Sequence, residues 1–147
     1  MTKYTVYLAG EIHSNWREEV IKSAENDNLP IDFLFPEESH EASDMVGEQI
    51  ITKEDQQFWY DRRSAGINSI RIATGIKKAD IVVVRFGEKY RQWNAAFDAG
   101  FAHALGKKLI VIHPEEFNHA LKEVDAAADA TVSENKQVFE ILKYLCR

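Results

Sequence analysis

The sequence predicts an α/β fold built on one doubly wound parallel sheet of four to five strands with helices on both faces. Three observations carry that expectation. Short runs of β-branched and aromatic residues recur along the chain, segments of helical period separate them, and two of the runs are apolar almost without a break. Uninterrupted apolar strands are what a sheet covered on both sides requires.

The first strand is Tyr4 to Leu8 (YTVYL), rich in aromatic and β-branched residues. A helix follows, with Trp16, Val20, Ile21 and Ala24 on one stripe, entered through Ser14 or Asn15, where Asn15 and Glu18 have capping-box spacing. Ile31 to Phe35 (IDFLF) is the second strand. Residues Pro36 to Glu54 are polar, acidic and aperiodic, which predicts a long surface loop lining or covering a site. A long helical stretch then runs roughly from Asp55 to Lys78, with Phe58, Ile67, Ile70 and Ala73 as inward positions and Gly66 and Gly75 as points of bending. Ile81 to Arg85 (IVVVR) is the third strand. The next helix, Ala95 to Leu105, presents Ala95, Phe97, Phe101, Ala102 and Leu105 inward and stops at Gly106, the left-handed position after a helix end. Leu109 to His113 (LIVIH) is the fourth strand, and Ala130 to Val132 a weak fifth. Val138, Ile141, Leu142 and Leu145 mark the last helix, with Ser133 as its N-cap. This alternation implies right-handed crossovers and an architecture of the flavodoxin-like or Rossmann-like kind.

At 147 residues, 45% hydrophobic and 29% charged, the chain has the size and core material for one domain spanning residues 1–147. The net charge of −6 provides no overall positive field for a nucleic-acid polymer or an anionic membrane surface. The single cysteine, Cys146, excludes an internal disulfide and a Cys-based zinc site within one chain, which suits a reducing cytoplasm. No apolar stretch approaches membrane-spanning length, so a soluble cytoplasmic protein is expected.

Open parallel sheets bind ligands beyond the carboxyl ends of their strands. Those ends are Ala9 to Asn15 after the first strand, Phe86 to Asn94 after the third and Pro114 to Glu116 after the fourth. None contains G-x-G-x-x-G, G-x-x-x-x-G-K-[ST] or G-x-S-x-G, and the histidines lack metal-ligand spacing, so neither cofactor nor metal is expected. Glu11 and Glu88 are candidate acid/base carboxylates on this rim. Gly10 and Gly87 let the backbone turn closely around a ligand, and His13, Gln92 and Asn94 offer polar contacts. Tyr90 and Trp93 either stack on a flat ring or cap the core. Arg85 ends an apolar strand with a charge that pairs with Glu11 or Glu88, or binds a phosphate.

Tyr7-Leu8-Ala9-Gly10, Lys78-Ala79-Asp80-Ile81-Val82-Val83, and above all the stretch from Ala95 to Lys108 (AAFDAGFAHALGKK) resemble the nucleoside 2-deoxyribosyltransferase family, more narrowly its small YtoQ-type branch. The resemblance covers nearly the whole chain. It implies a carboxylate that attacks C1′ of a nucleoside or nucleotide, a glycosyl-enzyme ester, and resolution by an acceptor base or by water, without a cofactor. Asp98 matches the nucleophile, where the family typically has Glu, and the nearby helix N-terminus is expected to keep it ionised. Gln92 stands where the family usually has a carboxylate that protonates the departing base, and Asn94-Ala95 replace Gly-Ser or Gly-Thr. Asp61 falls near an Asp that binds the base or positions a proton. The resemblance also implies a homo-oligomer in which a neighbour can complete the pocket. The substitutions leave two other readings open: a non-catalytic nucleotide-binding or sensing module, and an N-glycosidase acting on NAD-like dinucleotides.

Overall fold

The computed structural model describes all residues, Met1–Arg147. Its strands are β1 (Tyr4–Gly10), β2 (Ile31–Leu34), β3 (Ile81–Arg85), β4 (Lys108–Ile112) and β5 (Ala130–Val132), all parallel, in the order β2-β1-β3-β4-β5. Its helices are α1 (Trp16–Asn26), α2 (His40–Ile50), α3 (Gln57–Lys78), α4 (Trp93–Ala104), α5 (Lys122–Ala127) and α6 (Asn135–Leu145). The expected α/β fold is therefore present, with the flavodoxin-like strand order. That order reverses between β1 and β3, which opens a crevice at their carboxyl ends. No helix is long and apolar enough to cross a membrane.

Side chains alternate across the sheet, so each strand feeds two cores. Val6 and Leu8 of β1 pack with Ile81, Val83, Ile110 and Ile112 under α1 and α6, through Trp16, Val20, Val138 and Leu142. Tyr7 and Ala9 pack on the opposite face with Val82, Val84, Leu109 and Val111 under α3 and α4. Alanines at 95, 99 and 102 bring α4 close to the sheet. Gly75 does the same for α3, since a Cβ there would lie 2.4 Å from the Tyr7 ring.

Several local expectations are corrected. Pro36 to Glu54 is not a loop: it contains α2, capped by Ser39, whose Oγ accepts from the Ala42 amide at 3.2 Å. Apolar periodicity does not reveal this helix because polar contacts dock it. Ser64 Oγ accepts from Gly47 N at 3.0 Å and donates to Asp44 O at 2.6 Å, and Asn68 Nδ2 donates to Ser43 O at 2.9 Å. Asn15 precedes α1 but makes no side-chain cap, its φ of −90° and ψ of 20° lying outside the extended region that a capping side chain needs. Glu134 rather than Ser133 caps α6, in a reciprocal box with Gln137. Phe58, Ile70, Phe97 and Leu105 are exposed, not inward. The faces turned to the sheet are carried instead by Gly75 and Ile76 of α3 and by Ala95, Ala99 and Ala102 of α4.

Candidate active site

The crevice begins with the turn after β1. Gly10 has a φ of +99°, and a Cβ on it would stand 2.2 Å from the Arg85 carbonyl oxygen. That oxygen accepts from the Glu11 amide at 3.0 Å, so the turn is stitched to the end of β3. Arg17 of α1, wholly buried, fastens it from below: Nε donates to Leu8 O at 2.9 Å, NH1 to Glu11 O at 2.7 Å and NH2 to Gly10 O at 3.0 Å. Gly10→Ala meets both a left-handed backbone and a clash with main chain, and is expected to cost about 3 kcal/mol. Urea denaturation of the variant measures the loss.

Two cavities of about 600 Å³ each open above this turn and share one wall. One is a slot among α2, α3 and α4 with Ile72, Phe97 and Phe101 among its apolar sides. The other spreads over the loops after β1 and β3, with His13, His40, Tyr90 and Trp93 around it. Asp98 lines both, together with Ser43, Asp44, Ile72 and Asn94. It sits in the second turn of α4, beyond the reach of the helix N-terminus, so the expected dipole stabilisation of its charge does not apply. Burial instead lifts its carboxyl from 3.8 to about 7, opposed by the positive charge of Arg17, and no hydrogen bond ties it down. The Tyr7 phenol is pushed well above its usual range by burial first and by the Asp98 charge second. Its hydroxyl is buried without a hydrogen-bond partner.

The other expected residues divide. Gly10, His13, Gln92, Trp93 and Tyr90 line the open lobe, Asp61 lines the slot and Asn94 lines both. His13 and Tyr90 rings lie 4.8 Å apart, and Trp93 is 75% exposed, so neither aromatic caps the core. Gln92 Nε2 is buried with no acceptor. Glu11 reaches the open lobe but is held internally: its carboxylate accepts from the His13 amide and from Ser14 Oγ at 2.6 Å, and pairs with Arg85 Nε at 3.5 Å. Gly87 is buried against its side chain. Arg85 is thus an ion-pair partner of Glu11 that also donates to Asn135 Oδ1 at 3.0 Å, and it lines neither cavity. Glu88 is exposed and outside both cavities, on the bend after β3 that turns back toward the lobe only from Tyr90 onward.

The Pro36 to Glu54 stretch does line the site, as its polar composition predicts, but the sequence does not say which of its residues do: Glu37, His40, Ser43 and Asp44 form one side of the cleft. The only local signal was Ser39 with Glu41 behind it, a helix start that polar composition masked. Arg17 was equally silent, an ordinary charge on a helix until its neighbours are known.

This geometry can hold a flat ring beside a short polar span and bring one free carboxylate to the span between them. Residues 7–146 match the family model described as nucleoside 2-deoxyribosyltransferase YtoQ. The uncharacterized protein YtoQ of Bacillus subtilis (strain 168) is 46% identical over 143 residues, covering 97% of each chain. Among solved structures, a 2-deoxyribosyltransferase from Bacillus psychrosaccharolyticus superposes with a TM-score of 0.57 at 20% identity, over 92% of this chain and 90% of that one. A Clostridium botulinum CMP N-glycosidase gives 0.56 at 17% identity, over 96% and 97%. A conserved protein from Enterococcus faecalis V583 gives 0.61 at 13%, over 98% and 99%. The three structures share the fold; with the family match spanning almost every residue, the chain belongs to the YtoQ family of nucleoside 2-deoxyribosyltransferases.

Proposed function

We propose that the protein breaks the N-glycosidic bond of a nucleoside or nucleotide, with Asp98 as the nucleophile at C1′. One observation carries this reading: the carboxylate where the two cavities meet is free of any hydrogen bond. The family membership supports it. In the reading, Asp98 attacks as the base leaves, and water or a second base resolves the ester, giving hydrolysis or transfer. Gln92 and Asn94 hold the sugar or base edge, and His13, Tyr90 and Trp93 surround the part left in the open lobe. Glu11, locked by Ser14 and Arg85, acts as a wall and not as a proton carrier. Incubation with deoxyinosine, with and without free adenine, tests the reading. Hypoxanthine release alone marks a hydrolase, deoxyadenosine marks a transferase, and neither product with a panel of nucleosides and nucleotides overturns it.

Because the attacking group must be ionised, kcat/KM for base release is expected to rise with pH and level off above about 7. A profile flat from pH 5 to 9 would assign the chemistry elsewhere. The same reading includes a homo-oligomer. Phe58 and Trp59, 69% and 50% exposed on α3, form an apolar pair on the surface, with their rings 5.0 Å apart. Light scattering is expected to show more than one copy per particle, and Phe58→Asp to lower the mass.

A further inference from the structure

The slot among α2, α3 and α4 has an unusual balance of charge. Asp44, Asp61 and Asp98 line it, no Lys, Arg or His does, and Ile72, Phe97 and Phe101 supply its apolar sides. A neutral base can give amino hydrogens to these carboxylates and stack on the rings, but it gains nothing from their net charge. A flat ring with a formal positive charge draws on the carboxylates and on the aromatic faces together.

The second observation concerns the proton that a neutral base needs in order to leave. Gln92, at the mouth of α4, offers an amide hydrogen bond but no transferable proton. Glu11 is held by Ser14 and Arg85. His13 packs against Tyr90 and His40 lies 3.3 Å from Asp44, and both line the open lobe but not the slot. The slot's other two carboxyls are engaged as acceptors, Asp44 facing His40 and Asp61 accepting from Gln57 Nε2 at 2.8 Å, and no cationic acid lines it.

We propose that the preferred substrate is a nucleoside whose base is positively charged, an N-glycosyl pyridinium or an N7-alkylated purine, with the charged ring in this slot. The inference rests on Asp98 being the nucleophile of the reading above. An Asp98 oxygen bonds to C1′ as the C1′–N bond breaks, and the bonding pair returns to the ring nitrogen and cancels its charge. The base leaves neutral, without a proton. Water then attacks C1′, giving the free sugar, the restored carboxylate and one released proton.

Two measurements on the intact protein test this. Base release is compared between nicotinamide riboside and its uncharged dihydro form, and between N7-methylguanosine and guanosine, each rate divided by its uncatalysed rate. Inhibition by the 1-methylnicotinamide cation, methylated on the ring nitrogen, is compared with inhibition by nicotinamide, which reads ring binding without bond cleavage. The charged member is expected to win each comparison by at least about tenfold, and Asp61→Asn to shrink the inhibitor ratio severalfold. Equal or inverted ratios overturn the proposal, as does an inhibitor ratio unmoved by Asp61→Asn. If neutral deoxynucleosides turn over in an Asp98-dependent way while charged ones show no advantage, this proposal falls and the N-glycosidic reading stands. If no nucleoside of either kind is cleaved, both fall.

Discussion

Asp98→Asn is expected to lower base release by about 10³-fold or more, since the amide cannot form the glycosyl ester. The same change is expected to stabilise the protein. Burial raises the Asp98 carboxyl to about 7, so between the ordinary 3.8 and that value the folded chain holds a proton that the unfolded chain has released. Stability from this group therefore falls as pH rises through that window and stays low above it. The neutral amide escapes the cost, and Asp98→Asn is expected to gain about 2 kcal/mol at pH 8 and almost nothing at pH 4. Urea titrations at the two pH values read the difference. A variant that keeps its activity, or that is less stable at pH 8 than at pH 4 relative to the parent, removes Asp98 from the centre of the site.

Arg17→Met carries the largest expected stability loss. The guanidinium serves three main-chain carbonyls at the end of β1, of which Glu11 O has a second donor in Trp16 Nε1 at 2.7 Å. Burial lowers the Arg17 pKa while Glu38, Tyr7, Glu11 and Asp98 raise it, so it is held as a cation by its acidic surroundings against desolvation. A methionine fills the volume but leaves the Leu8 and Gly10 carbonyls without this donor and Glu11 O with Trp16 alone, at a cost of about 3–5 kcal/mol. The positive charge that opposes the rise at Asp98 also disappears, so the midpoint of the activity profile is expected to move upward in pH. Arg17→Lys keeps the charge and loses the fork. It is expected to be destabilised less and to keep a midpoint nearer the parent's, which separates charge from bonding if the methionine variant fails to fold. An unchanged midpoint in a folded Arg17→Met protein would show that Asp98 does not sense this cation.

The strands were legible because their signal is local. IVVVR and LIVIH are apolar runs that only a doubly covered sheet can bury, and both are central strands. Gly106 marks the end of α4 by its left-handed backbone, with a φ of +71°. The resemblance around Ala95 to Lys108 singled out Asp98 before any geometry was known. By contrast α2 was hidden because it is docked by Ser64 and Asn68, residues far along the chain whose hydroxyl and amide have no periodic signature. Hydrophobicity alone points Phe97 inward, whereas it lies 74% exposed at the rim of the slot. Glu11 and Glu88 looked equivalent as loop acids. A salt bridge to Arg85 holds one inside while the other faces solvent.

What the chain determines by itself is the set of elements and their hydrophobic faces, since propensity, caps and apolar spacing act over a few neighbouring residues. The ionisation of Asp98, the bondless state of its carboxyl and the all-acidic slot beside it were decided only in three dimensions. A carboxylate's charge depends on how much water is removed around it and which cation remains, and here α2, α3 and Arg17 of α1, distant in sequence, set both.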